Sequence, residues 1–333
     1  MADGARLIMA AGHMGSIIPG DEGNQFATVL KKLDSTEIAV YMKLIRLYAG
    51  DPVLIFTPRY LGALHSDGND YIRLSNLLSG FENPIVMDIK LGVRSFTENE
   101  MANGPGRPDL YKRMAQLYPW ELTSAEHELG CLSKRRFMQA RDANTTTSSL
   151  GFRIDGVAGF DVDVGREVTG SLSAIRSHQD ASTALRDLAL YTARSRSDEN
   201  DLLAAWGIAR NFQMQLRHLQ IAMRQSAFVD THEFIGSSVL LVADASGSTG
   251  IFWIDFAKTV ALDAGISIKH DVPWTPGSHE DGLFIGMANL AQSMEQAELT
   301  LCQQALTSVL PTGPLPVRRK TPDFLKAPSW VGS

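Results

Sequence analysis

The sequence predicts a two-lobed α+β fold with a helical insert, and three observations lead there. Near the N-terminus, a strand-like run ends in the pair Lys31-Lys32 and is followed at once by a helix-forming stretch with acids at its start. Two apolar, strand-like runs, residues 84–92 and 253–259, each carry an acid and a lysine although they lie far apart in the chain. The C-terminal half then alternates further strands with helices.

Taken in order, residues 24–33 have strand character. Residues 34–48 read as a helix: Asp34 with Glu37 three later is a capping-box pattern, and Ile38, Tyr41, Ile45 and Tyr48 recur at helical spacing. Residues 71–74 form a short strand, Asn76-Leu77-Leu78 a hinge, and residues 85–89 another strand. Arg94 to Ser148, about 55 residues, is long enough for several short helices at ~1.5 Å per residue. Helices follow around 200–225 and 283–310. Residues 311–333, with five prolines, read as an extended or disordered tail. The expected division is a first lobe over 1–93, the insert over 94–148, a second lobe over 149–310 and the tail.

Composition limits the function classes. At 333 residues and 44% hydrophobic, the chain can bury a sizeable core. No apolar run approaches the ~18 residues of a membrane span, and the first residues are too polar for a secretory signal. Two cysteines, Cys131 and Cys302, cannot form a disulfide framework, so a cytoplasmic location is expected. A net charge of −6 argues against general affinity for nucleic acid. The cations are unevenly placed, however: Lys112-Arg113, Lys134-Arg135-Arg136 and Arg141 all fall within the insert. A basic island in an acidic chain points to a compact polyanionic ligand.

An acid and a lysine beside each of two strands suit phosphoryl transfer, with carboxylate for Mg²⁺ and ammonium for the moving phosphate. Asp88 and Lys90 alternate along one strand and therefore share a face, opposite Met87, Ile89 and Leu91. Asp255 ends a run so apolar that its charge calls for a metal or strong donors. There is no GxxxxGK[ST] loop, GxGxxG loop, HRD loop or zinc-spaced His/Cys cluster, which removes P-loop enzymes and ordinary protein kinases.

Pro84 to Gly92 (PxxxDxKxG), Ser237-Ser238-Val-Leu-Leu, and Ile254-Asp255-Phe256-Ala257-Lys258-Thr259, with Gly12-His13-Met-Gly15-Ser16, Lys31-Lys32, Ser149 to Ile154 and Glu280-Asp281-Gly282, stand in the order found in the inositol phosphate kinase family, which the chain resembles from about Gly12 to Leu310. Within that family, Lys134 to Arg141 is similar to the KPRYMQWR segment of the inositol 1,4,5-trisphosphate 3-kinases, and Arg107 to Met114 to their RKDMYKKM segment. The resemblance implies a protein-kinase-like, SAICAR-synthase-like fold and ATP- and Mg²⁺-dependent phosphorylation of inositol 1,4,5-trisphosphate at the 3-hydroxyl. A broader multikinase and a non-catalytic inositol phosphate or calmodulin-binding module are the alternatives.

It also implies roles for residues. Ser16, Lys31, Leu74, Asn76, Asp88 and Asp255 are expected at ATP, with Glu37 as the ion-pair partner of Lys31 and Asp255 on Mg²⁺. Lys90 is expected between donor phosphate and acceptor hydroxyl, and Asp88 either takes the hydroxyl proton or contacts ATP. Arg107, Lys134, Arg136, Met138, Arg141 and Lys258, with Lys90, are expected at the substrate. In this chain Arg135 and Ala140 stand where that motif has proline and tryptophan, and Val157-Ala158-Gly159 where the family continues with lysines, a contact for which Arg166 could substitute. Leu110, Tyr111, Met114, Leu117 and Tyr118 with Lys112 and Arg113 form a small basic amphipathic face, which makes calmodulin a candidate partner.

Overall fold

A computed structural model describes residues 17–20, 28–101, 104–159, 172, 174–194 and 201–309. The expectations for Ser16 and its motif, for the start of the strand at 24–27, for Arg166 and for the tail lie outside these residues.

The first sheet runs β1 (Ile17–Pro19), β2 (Thr28–Lys32), β4 (Asn69–Ser75), β3 (Tyr60–Ser66), antiparallel throughout. Between β2 and β3 lies helix α1 (Ser35–Leu47). Asp34 caps it, accepting from the Thr36 and Glu37 amides. The other half of the expected box is not made, because the Glu37 side chain turns to Lys31 instead. That choice sets the helix's rotation: Glu37, Val40, Tyr41 and Leu44 are buried, while Ile45, expected inside, is 48% exposed.

A turn at 76–79, in which Asn76 Oδ1 accepts from the Leu78 amide at 3.0 Å, leads into the second sheet. Its order is β6 (Phe152–Ala158), β5 (Ile85–Leu91), β8 (Ser238–Ala243), β9 (Thr249–Ile254). Strand β5 is central and almost wholly buried, so its run reads as continuous rather than alternating. Gly92, just after it, has φ +101°, and a Cβ there would stand 2.9 Å from the Asp281 carbonyl, which is why the motif needs glycine at this point. Against this sheet pack three long helices, which also pack on one another: α5 (His178–Arg194), α6 (Asp201–Arg224) and α7 (Leu283–Val309).

Both sheets share one core, and the ring of Phe256 is where they meet. It is fully buried and edge-on to Tyr41 of α1 at 5.7 Å and to Trp253 of β9 at 5.0 Å. Burying aromatic rings in this way contributes beyond their area, by about 0.5–1.5 kcal/mol per pair.

The insert has a core of its own. Helices α2 (Pro108–Leu117), α3 (Ser124–Leu129) and α4 (Lys134–Ala143) enclose Met114, Leu132, Phe137 and Ala140, with Leu110, Tyr111 and Tyr118 packed against them. Of the residues expected to offer calmodulin an apolar face, four are thus directed into this core. Leu117 is 45% exposed.

His270 (φ +61°) and Asp281, both buried, tie the loops of the second lobe together. Asp281 accepts from the Phe234 and Leu283 amides, and His270 Nδ1 lies 2.9 Å from its carboxylate. The other ring nitrogen faces the Val229 carbonyl at 3.2 Å, so both nitrogens meet acceptors, an arrangement that favours the imidazolium. Burial alone would lower the His270 pKa, but the hydrogen bond and charge of Asp281 outweigh it and raise it. A raised folded pKa stabilises fully below the unfolded value, and that stabilisation is lost as pH rises through the folded value. Urea stability should therefore fall as pH rises from the ordinary histidine value through the raised folded value of His270. The decline should be smaller in His270→Asn, which tolerates the left-handed backbone; equal declines would rule His270 out as its source.

Candidate active site

Three elements deliver the charged groups where the two sheets meet. Strand β2 brings Lys31, β5 brings Asp88 and Lys90, and the end of β9 brings Asp255. Asp255 has φ +67°, a conformation that costs an L-residue roughly 1 kcal/mol or more and tends to be kept where function needs it. Lys31 Nζ donates to Glu37 at 2.8 Å and to Asp255 Oδ1 at 2.9 Å. Lys90 Nζ donates to the other oxygen, Asp255 Oδ2, and stands 3.7 Å from Asp88. One carboxylate is therefore gripped by a lysine from each sheet.

The electrostatics follow from burial and proximity. Burial alone would raise the Asp255 carboxyl, but Lys90 and then Lys31 outweigh it and hold it far below the usual carboxylate range. Burial would lower Lys31; Asp255 and then Glu37 reverse that, and both lysines are firmly charged. Asp88 goes the other way. Burial raises it, Lys90 opposes, and the negative charge of Asp255 adds to the rise. Its Oδ1 is buried with no hydrogen-bond partner among the described residues, although an orphaned carboxylate oxygen costs free energy unless something completes it.

That orphan bears on metal binding. Mg²⁺ is usually held by one or two carboxylates together with phosphate oxygens, and Asp255 with the unsatisfied Asp88 beside it is a donor set of that kind. The residues fit the ion.

A second cluster lies where the insert meets the segment after Asp255. Glu100 Oε1 accepts from Lys134 of α4 at 2.5 Å and Oε2 from Lys258 at 2.8 Å. Burial would raise Glu100, but these hydrogen bonds hold it down at about 2. Arg141 is half-buried, its Nε has no partner among the described residues, and burial followed by the charge of Arg153 lowers its pKa. Met138 Sδ accepts from Arg141 at 3.1 Å and from Ser95 at 3.4 Å. Arg153 pairs with Asp155 at 2.8 Å, and Asp155 is held low against its burial by Arg153 and Lys90. A chain of charge thus runs from Lys90 through Asp155 and Arg153 to Arg141, Lys258 and Lys134.

Of the residues expected from the sequence, Lys31, Asp88, Lys90 and Asp255 come together, and so do Lys134, Met138, Arg141 and Lys258. Leu74 is a buried residue of β4, and Asn76 forms the inter-sheet turn. Arg107 is exposed and paired with Asp109, but it lines one cleft of about 360 Å³ together with Lys134 and Glu100. Arg136, also expected at the substrate, donates to Glu126 through Nε and to Glu121 through both terminal nitrogens, and so braces the insert. Glu100, Arg153 and Asp155 were not expected at the site. Arg153 and Asp155 lie in or beside a recognisable motif; Glu100 lies in none.

The family model for inositol polyphosphate kinase matches residues 71–295. The chain is 33% identical over 287 residues to mouse inositol-trisphosphate 3-kinase C, covering 85% of this chain and 39% of that protein. It is 32% identical over 301 residues to an inositol-trisphosphate 3-kinase homolog of Caenorhabditis elegans, covering 87% and 55%. It therefore spans between about two fifths and about half of the length of these relatives. A structure of the inositol phosphate multikinase of S. cerevisiae in complex with ADP and Mn²⁺ is similar at a TM-score of 0.49 and 19% identity, covering 81% of this chain and 98% of that one.

Since Lys90 is the largest influence holding Asp255 down against burial, Lys90→Met should move that carboxyl back toward the ordinary range. Carbon-13 NMR titration of labelled aspartate measures this. An unshifted Asp255 would mean that Lys31 alone sets its charge.

Proposed function

Because this chain belongs to the inositol polyphosphate kinase family, we propose that it transfers the γ-phosphate of ATP to the 3-hydroxyl of inositol 1,4,5-trisphosphate. The observation that carries the reading is Asp255, a single carboxylate held by Lys31 and Lys90 from the two sheets, with the cationic side of the insert beside it. The 3-kinase relatives and the two insert segments that resemble theirs support this substrate over a broader range.

In this reading Lys31, steadied by buried Glu37, holds ATP phosphates. Asp255 holds Mg²⁺ with Asp88 nearby, and the ion, when bound, offsets charge on the phosphate oxygens. The 3-hydroxyl oxygen forms its bond to the γ-phosphorus as the bond to the β-phosphate oxygen breaks. The hydroxyl proton passes to Asp88, whose raised pKa makes it a better base than an exposed aspartate. Lys90, within reach of both carboxylates, stabilises charge spreading over the equatorial oxygens. Arg141, Lys134 and Lys258 take substrate phosphates, with arginine giving a bidentate grip.

Incubating the protein with Mg-ATP and a panel of inositol phosphates, with products resolved by position, tests the reading directly. Phosphorylation of the trisphosphate at the 3-position alone is expected; transfer to several positions would replace it with a multikinase. Asp255→Asn should abolish turnover with the circular dichroism of the fold retained. Lys90→Ala should lower kcat by orders of magnitude at nearly constant ATP affinity, and normal turnover would remove Lys90 from the transfer step. Arg141→Ala should raise KM for the inositol substrate about tenfold or more, from the loss of charged hydrogen bonds, while KM for ATP changes little.

A further inference from the structure

Most carboxylates paired with the insert's cations belong to the insert's own bracing: Arg136 is held by Glu121 and Glu126, and Arg107 by Asp109. Glu100 is different. Its two partners come from different elements, Lys134 on α4 and Lys258 after Asp255, and both are lysines proposed above to meet substrate phosphates. Its position is fixed by its own backbone: the Thr97 amide donates to Oε2 at 3.0 Å, and the Glu100 amide donates to Thr97 Oγ1 at 3.2 Å. The side chain is 23% exposed, and it lines the open cleft with Arg107 and Lys134. Here, then, is an anion preset over two cations at the mouth of a cavity.

We propose that Glu100 is a built-in counter-anion of the substrate site, occupying Lys134 and Lys258 until a phosphate monoester displaces it and covering them again as product leaves. The inference rests on the substrate reading above. A carboxylate brings one charge and two oxygens, whereas a phosphate monoester near neutral pH brings about two charges and three acceptor oxygens, so the phosphate wins the lysines when it is delivered on a bound ligand. The product carries one phosphate more than the substrate and would otherwise cling to the same cations. An internal competitor lowers the affinity for both ligands and keeps two lysines from facing each other unpaired in the empty site. A purely structural strut between insert and second lobe would act in the opposite direction, since its loss would disorder the site and weaken binding.

The test is Glu100→Gln, which keeps the shape and removes the charge, alongside Glu121→Gln, which loosens a brace within the insert. Kd for inositol 1,4,5-trisphosphate by calorimetry and KM should both fall about threefold to tenfold in Glu100→Gln, the range for releasing two half-exposed ion pairs. KM for ATP should stay constant, and Glu121→Gln should show no tightening. Unchanged or weaker trisphosphate binding in Glu100→Gln would overturn the proposal. If the wild-type protein neither binds nor phosphorylates inositol phosphates, the substrate reading fails, and a titration with inorganic phosphate followed by phosphorus NMR still decides the role of Glu100. Tighter phosphate binding by Glu100→Gln supports the counter-anion; equal binding overturns it.

Discussion

The geometry of this protein depends on the Asp255 carboxylate being shared by Lys31 and Lys90. Each lysine is largely removed from solvent, and a buried charge without a partner costs several kcal/mol. Lys90 lies on the same sheet as β9, which Asp255 follows, whereas Lys31 lies on the other sheet and must reach across to this acid. The two sheets are therefore tied at one point by charge, and Phe256, the next residue, ties them at the same point by packing against Tyr41 and Trp253. The left-handed backbone of Asp255 becomes intelligible in this light. An extended residue would carry β9 onward; the turn instead lets Asp255 meet the lysines while Phe256 enters the core.

This arrangement also explains why Glu37 is buried. Lys31 needs more than one negative neighbour to keep its charge against burial, and α1 supplies the second by rotating Glu37 inward. That rotation is what the sequence pattern concealed. An apolar count along 34–48 favours the face through Ile38 and Ile45, because it scores an acid as solvent-facing. One buried ion pair outweighed that preference and turned the helix so that Val40 and Leu44 lie inside. Ile38, Tyr41 and Tyr48 still meet the core, so hydrophobic periodicity finds the helix and most of its buried face but misplaces Ile45.

The same limit governs the insert. Its helices and its cations are visible in the sequence as length and composition, but the sorting of those cations is not. Lys134, Arg136 and Arg141 stand within one short run and look equivalent. In three dimensions Arg136 donates to Glu121 and Glu126, Lys134 is covered by Glu100, and Arg141 keeps a nitrogen without a partner among the described residues. What separates them is which acids fold nearby, a property of tertiary proximity between residues up to 34 apart along the chain for Lys134 and Glu100. By contrast Asp88, Lys90 and Asp255 were legible because their strands are so apolar that a charge within them stands out.

Two cores then imply two degrees of independence. The clasp at Asp255 belongs to the large core shared by both sheets, whereas Lys134 and Arg141 ride on α4, whose Phe137 and Ala140 pack into the small core around Met114. Substitutions within the small core can therefore shift the insert's cations without disturbing the clasp. The contacts joining the two units include several polar ones, among them the Lys258 bridge through Glu100, the Lys258 bond to the Ser95 carbonyl and the Arg94–Glu233 pair, beside the packing of Phe96 on Trp274. Polar contacts of this kind lose little when the solvent or an anionic ligand replaces one partner, whereas packed rings cannot be exchanged so cheaply. On the proposed reading, a site that admits and releases a highly charged molecule is better bounded by exchangeable polar contacts, while the packed ring of Phe256 holds the two sheets together.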